Sequence, residues 1–359
     1  MIAEVLERKG ICICAGPGGV GKTTTSAAIA VGMAARGRKV AVLTIDPARR
    51  LADSLGLPAL GNEERRVALD APGELWAMML DPKRTFDQLI EWHAPDERTR
   101  DAVLHNRIYQ ELSSAVAGSH EYMAMEKLLE LHQEGRYDML VLDTPPTRSA
   151  LDFLDAPKRL GAFIDSRSLR LFTIPGRFGA NLLGRGTSLA FSTMGKAVGI
   201  DLLRDLSEFF RSFGDMSSGF RERAERVNQL LADRHTAFLV VTSPRQDAID
   251  EAVFFHHRLL DAGLPFGGVV VNRVHQVEDG VTARGLDDAL GEDLAGRVAA
   301  NVEDYRRLAE RERRDLDVLR RRLRRRPMIE VPELDDDVHD IDGLRRVGEY
   351  LFEHAADLS

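Results

Sequence analysis

Residues 14–25 read CAGPGGVGKTTT, and this stretch decides the fold. Gly16 to Thr23 satisfy the pattern G-x-x-x-x-G-K-[ST]. The apolar run ICICA (11–15) reads as a strand leading into it, and a helical pattern at 22–36 leads out. In that setting the glycines let successive backbone N–H groups turn inward onto phosphate oxygens. The helix N-terminus adds its partial positive charge. Gly18, Gly19, Val20, Gly21, Lys22, Thr23 and Thr24 are therefore the expected nucleotide-binding residues. Lys22 is expected to neutralise the β- and γ-phosphates, and the Thr23 hydroxyl to ligate Mg2+. A glycine-rich turn with a chance lysine would leave the flanking strand and helix unexplained.

Further short runs of Val, Ile and Leu follow at KVAVLTID (39–46), LWAMML (75–80), DMLVLD (138–143), TAFLVVTS (236–243), FGGVVVNRV (266–274) and MIEVPEL (328–334). Helical patterns separate many of them, for example at 246–262. Strands apolar on both faces and alternating with helices predict an α/β fold with a mostly parallel, doubly wound sheet. The sequence is read as one P-loop NTPase domain over 1–359. Two intervals are too long for single crossovers, so a helical subdomain is expected from insertions at about 84–135 and 158–232. Near the C-terminus, YRRLAERERRDLDVLRRRLRRR (305–326) predicts a charged helix with Tyr305, Leu308, Leu316, Leu319 and Leu323 on one packed face.

Mg2+ requires further oxygen ligands. Asp143 ends DMLVLD at the edge of the sheet where open α/β folds bind ligands, and is the expected second metal residue. Asp46 ends KVAVLTID in the same way and is the better candidate for a water-positioning carboxylate. The alternative for either aspartate is a helix N-cap.

Composition limits the rest. The 359 residues are 44% hydrophobic and 30% charged, as in ordinary globular proteins, and the net charge is −8. That charge offers no electrostatic case for nucleic acid or acidic lipid. No run reaches the roughly 18 apolar residues of a membrane span, so no stable membrane insertion is expected. The N-terminus carries acids early and runs directly into a strand, so it does not resemble an export signal, and a cytoplasmic location is expected. Cys12 and Cys14 alternate with isoleucines and read as core strand residues.

Four segments in order resemble the ArsA-type ATPases, the deviant-Walker branch that contains the arsenite-pump ATPase and the ATPase that targets tail-anchored membrane proteins. They are GPGGVGKTTTSAAIA, LTIDPARRLADSLG (43–56), VLDTPPTRSALDFLDAP (141–157) and VVVNRV (269–274). FRERAERVNQLLADRHTAFLVVTSP (220–244) and EVPELDDDVHDIDGLRRVGEYL (330–351) extend the likeness. The resemblance implies ATP as the nucleotide and Asp46 as the catalytic residue orienting the attacking water, alongside Lys22. It also implies Asp143 at the Mg2+ position, Asn272 reading the base, and Pro332 in the nucleotide site.

The chain departs from that family at informative places. Pro17 stands where the family carries a lysine that reaches a dimer partner's phosphates. Proline has neither charge nor N–H, so a partner lysine, Arg49 or Arg148 would have to replace it. Arg148 and Ser149 stand where the family has a Gly-His pair. With only two cysteines, both in a strand, a zinc-clipped dimer and thiolate-bound metalloid are not expected. The resemblance implies a homo- or hetero-dimer with a homologous ATPase, acting on an apolar protein client. Apolar residues within 171–213, from Phe172 to Phe210, would line a client groove or a subdomain core. For Met123, Met125, Leu128 and Leu129 the resemblance implies dimer contacts or the client cavity, and packing is the alternative. The alternative is a catalytically weak nucleotide-binding subunit. A membrane-positioning ATPase is a third reading, and the mixed-charge tail IDGLRRVGEYLFEHAADLS counts against it.

Overall fold

All five residues of β1 (Ile11–Ala15) are buried, so this strand is covered on both faces. In the computed structural model it lies between β5 (Met139–Asp143) and β6 (Thr236–Thr242), parallel to each. The model describes residues 2–46, 49–107, 109–110, 119–144, 200–276, 291–324 and 326–353. The remaining strands are β2 (Lys39–Thr44), β3 (Arg65–Arg66), β4 (Glu74–Met79), β7 (Phe266–Val274) and β8 (Met328–Pro332). Among the described residues they form one sheet in the order β3-β4-β2-β5-β1-β6-β7-β8. Only the β3–β4 pair is antiparallel. The fold is the α/β, mostly parallel sheet that the apolar runs predict.

The helices are α1 (Ile2–Leu6), α2 (Lys22–Ala35), α3 (Arg50–Ser54), α4 (Pro82–His93), α5 (Glu97–Leu104), α6 (Ser119–Glu134), α7 (Ile200–Ala232), α8 (Gln246–Asp261), α9 (Glu292–Arg322) and α10 (Ile341–Phe352). The small residues of α2, including Ala27, Ala28, Ala30 and Ala34, let it lie close to its neighbours in the core. The Phe352 ring of α10 packs so closely on Gly32 that a Cβ there would fall 2.2 Å from it. The Arg36 guanidinium covers that ring at 4.1 Å.

The chain divides into two compact units. The first comprises Met1–Met79, Gly135–Leu151 and Leu231–Ser359, and contains the whole sheet. The second comprises Leu80–Glu134 and Asp152–Leu230. Within the second unit, Met123, Met125, Leu128 and Leu129 are all buried, so they serve packing there. The buried Glu126 carboxylate accepts from Arg223 Nε at 2.6 Å and from the Tyr122 hydroxyl. Most of the apolar run at 171–213 lies outside the described residues, but Phe209 is buried.

Two expectations need correction. The charged C-terminal helix begins at Glu292, well before Tyr305, and ends at Arg322. Leu316, Leu319 and Leu323 are buried as predicted, whereas Tyr305 is exposed and sets its ring edge-on to His275 at 4.9 Å. The N-cap alternative fails for Asp46, because Arg49 occupies the cap position of α3; for Asp143 it falls on residues outside the described ones. Both cysteines are buried and free. Its hydrogen bond with Cys14 and burial together hold the Cys12 thiol well above its usual range. No helix among the described residues is long and apolar enough to cross a membrane.

Candidate functional site

The loop after β1 is built from close approaches that exclude side chains. At Gly16, with φ +152°, a Cβ would lie 2.0 Å from the Val241 carbonyl oxygen. At Gly21, with φ +92°, it would lie 2.2 Å from Asn272 Nδ2. The first glycine lets the loop leave the sheet over β6, and the second lets β7's end press against the start of α2. Lys22 opens α2 and is buried, its ammonium donating to the carbonyls of Gly16 at 3.0 Å and Pro17 at 2.7 Å. Burial pulls the Lys22 pKa below its ordinary value, and the charges of Asp143 and Asp46 oppose that fall. Pro17 is itself buried and presents no charge to the surface of the loop.

The sheet register assembles the acidic side of the site. Thr44 of β2 lies opposite Asp143 of β5, and Cys14 of β1 lies opposite it on the other side. Asp143 Oδ2 accepts from the Thr23 hydroxyl at 2.7 Å and the Thr44 hydroxyl at 2.9 Å. The Asp46 N–H in turn donates to Thr44 Oγ1 at 3.2 Å. Asp143 Oδ1 is buried with no hydrogen-bond partner. A buried carboxylate oxygen left unmatched beside a threonine hydroxyl is the donor set that suits a hard divalent cation.

Burial pushes the Asp143 carboxyl up to about 6, against the pull of the Thr23 and Thr44 hydroxyls and the Lys22 charge, while Asp46 adds to the rise. The folded protein therefore binds more protons here than the unfolded chain between the ordinary 3.8 and about 6. Stability falls as pH rises through that window. Above it, keeping Asp143 ionised costs about 3 kcal/mol in the absence of metal. Asp143→Asn is accordingly expected to raise the metal-free melting temperature at pH 7.5 and to lose that gain below pH ~4. Thermal melts at both pH values test this, and a variant less stable than wild type at pH 7.5 would contradict it.

A cavity of about 450 Å3 lies over this arrangement. Gly19, Gly21, Lys22, Thr23, Thr24, Asp46 and Thr144 line it, so the structure brings together most of the predicted phosphate and metal residues. Asp143 lies beneath them. Gly18 is an exposed residue of the loop, and Val20 is buried with its carbonyl accepting from Asn272 Nδ2 at 3.0 Å. Asn272 thus braces the loop from the end of β7. Pro332, the last residue of β8, is buried at the same sheet edge and is not among the residues lining the cavity.

Sequence reasoning missed the other walls. Arg50, Asp53 and Ser54 line one side, and Arg273, Val338 and His339 another. Of the adjacent pair Arg49 and Arg50, it is Arg50 that lines the cavity; Arg148 lies outside the described residues. Arg273 has φ 64°, a left-handed conformation that costs a branched-at-Cα residue about 1–2 kcal/mol relative to the right-handed one. It sits where the β7–β8 register shifts between Asn272 and Val274, and such a bulge re-aims a side chain. Its Nε is 3.9 Å from Glu333 across an open surface, which is too loose a pair to account for the strain.

The family model described as anion-transporting ATPase matches residues 9–283, which include β1, the loop and Asp143. The protein named ATPase get3 from Neurospora crassa is 25% identical over 72% of this chain and 71% of its own length. ATPase get3 from Aspergillus terreus is 27% identical over 74% of this chain and 73% of its own. ATPase GET3 from Malassezia globosa is 32% identical over a shorter stretch, 44% of this chain and 46% of its own. A glycine-rich loop closed on the buried Lys22, a buried carboxylate bonded to Thr23 and a family match across most of the sheet agree: the chain belongs to the anion-transporting ATPase family and is an ATPase.

Proposed function

We propose that the protein is a Mg-ATP-dependent switch ATPase that works as a dimer and uses hydrolysis to move a helical layer that handles a protein client, in the cytoplasm. The observation that carries this reading is the Thr23–Asp143 pair with its unmatched Oδ1 beneath a glycine-rich loop. Mg2+ would be held by Thr23 and Asp143, where it would screen charge between the β- and γ-phosphates. The N–H groups of Gly18, Gly19, Val20, Gly21, Lys22, Thr23 and Thr24 would cradle the phosphates. Lys22 has one N–H beyond those given to Gly16 and Pro17, and would turn it to the same phosphates. Asp46, half-buried at the end of β2, would orient the attacking water. Asn272 keeps its amide oxygen for a base edge, with Pro332 at the neighbouring strand end. The second unit, an inserted helical subdomain, would supply the client-facing layer.

Steady-state phosphate release with and without Mg2+ tests this reading, together with the mass of the purified protein with ATP bound. A magnesium-independent rate, or a monomer under all nucleotide conditions, would refute it.

Pro17 supports a second reading, in which this chain is a nucleotide-binding subunit that pairs with a lysine-bearing homologue. Its buried ring gives the loop no group to extend toward a partner. Tight ATP binding with negligible turnover alone, raised on adding such a homologue, would select this reading over the homodimer.

The strained Arg273 belongs to the same proposal, at the end of the cavity formed from β7 and the segment after β8. Arg273→Gly is expected to raise stability by about 1 kcal/mol, because glycine accepts a left-handed φ freely. The same change is expected to weaken ATP binding about tenfold by deleting a cation from the cavity wall. Melting and nucleotide titration would then move in opposite directions. If both improved, Arg273 would have no part in binding.

A further inference from the structure

Hydrolysis of a phosphoanhydride builds negative charge on the transferring group, and in this class of reaction the protein contributes mainly positioned cations. Among the described residues, the arginines and lysines lining the cavity are Lys22, Arg50 and Arg273. Lys22 has committed two of its three N–H groups to loop carbonyls. Arg273 comes from β7, which is separated from β1 by β6. Arg50 comes from the opposite direction. It follows β2, whose last residue, Thr44, is paired in register with Asp143. On the ATP-site reading, Thr23 and Asp143 would hold Mg2+ beside the terminal phosphates, so the β2 side of the cavity would be its γ end. Asp46 and Arg50 leave the sheet on that side and line the same wall.

Arg50 is also uncommitted. It is exposed and makes no hydrogen bond or ion pair among the described residues, although Asp46 and Asp53 share its wall. An arginine serving the fold would ordinarily be held by a carboxylate or a carbonyl, as Arg38 is by the backbone carbonyl of Lys9 at 2.8 Å. The second position of the loop, where a charge could face the same phosphates, carries a buried proline.

We propose that Arg50 is a catalytic residue, the cation supplied by this chain to the γ-phosphoryl group as it transfers to water. In that step the water oxygen bonds to the γ-phosphorus and the bridging P–O bond breaks. The electron pair of that bond stays on the ADP oxygen; one water proton remains on phosphate and the other leaves to solvent. The guanidinium meets the charge on the equatorial oxygens and on the bridging oxygen as it develops. Arg50 therefore does in cis what a residue from a second chain would otherwise do. This role rests on the ATP-site reading above.

The test compares wild type, Arg50→Ala, Arg50→Lys and Arg49→Ala, each as the full chain in whatever complex it purifies with. Turnover, ADP affinity and affinity for ADP with Mg2+ and aluminium fluoride are measured. Arg50→Ala is expected to lower kcat about 10²–10³-fold and to lose most of the extra affinity for the fluoride complex. ADP binding should stay within about twofold, since ground-state phosphates are held by the loop. Arg50→Lys should recover part of the rate, and Arg49→Ala should leave all three measurements unchanged. The proposal is overturned if Arg50→Ala keeps its turnover and its fluoride-complex affinity. It is equally overturned if ADP binding falls in step with them, or if Arg49→Ala has the same effect. A wild-type protein that binds no nucleotide refutes the ATP-site reading itself, whereas one that turns over ATP with Arg50 dispensable refutes only this inference.

Discussion

Lys22→Ala is expected to lower ATP turnover by about 10³-fold or more and to weaken ATP binding by about tenfold or more. The ammonium is the buried cation of the loop, and no other lysine lines the cavity among the described residues. The fold should survive. Burial already works against the charged form of Lys22, so deleting it removes a desolvation cost as well as two hydrogen bonds to Gly16 and Pro17. A melting temperature within a few degrees of wild type, beside the lost activity, would separate chemistry from folding. The variant should also shift a titration. Lys22 holds the Asp143 carboxyl down from a still higher value, so its removal lets that carboxyl rise above about 6. Residual Mg2+ dependence would then fail at a higher pH than in wild type, because a protonated carboxyl is a poor ligand.

Asp46→Asn is expected to leave ATP binding within about twofold while lowering kcat about 10²–10⁴-fold, the usual range for loss of a group that positions or accepts a reacting proton. Its backbone N–H bond to Thr44 is retained by the substitution, so the end of β2 keeps its geometry. The effect on Asp143 is opposite in sign to that of the lysine variant. Asp46 raises the Asp143 carboxyl, so the neutral amide lowers it and extends metal binding to lower pH. Metal titrations across pH for the two variants should therefore move apart. Shifts in the same direction would mean that these charges do not face one another as the structure places them. An Asp46→Asn enzyme with undiminished turnover would remove Asp46 from the mechanism.

The sheet was legible because buried parallel strands are written as continuous apolar runs, and each of the seven runs read from the sequence matches a strand, β4 starting one residue before its run. The eighth strand, β3, is two exposed arginines paired antiparallel to β4, and no apolar pattern marks it. The early start of α9 was hidden for a similar reason. Its first turns carry few buried residues besides Ala295, and Tyr305, which looked like a packed position, faces solvent. That the proposed phosphate and metal residues would gather in one place was legible because their spacing is local or tied to a strand end. Arg50, Arg273, Val338 and His339 line the cavity through the meeting of segments far apart in the chain. For Arg273 the decisive fact is a register shift between two strands, which single-strand periodicity does not contain.

The shared oxygen of Asp143 has one more consequence. It accepts from Thr23 at the start of α2 and from Thr44 on β2, and the Asp46 N–H donates to Thr44 in turn, so all three are tied to the neighbouring strands β2 and β5. Neighbouring strands are spaced about 4.8 Å apart by their backbone hydrogen bonds, and loop motion does not alter that spacing. On the proposed reading, the sheet would act as a gauge block between the cation position and the place where water attacks. A docking protein could add charge to such a centre or close it off, but the interval between its two working points would be set by the weave of the strands.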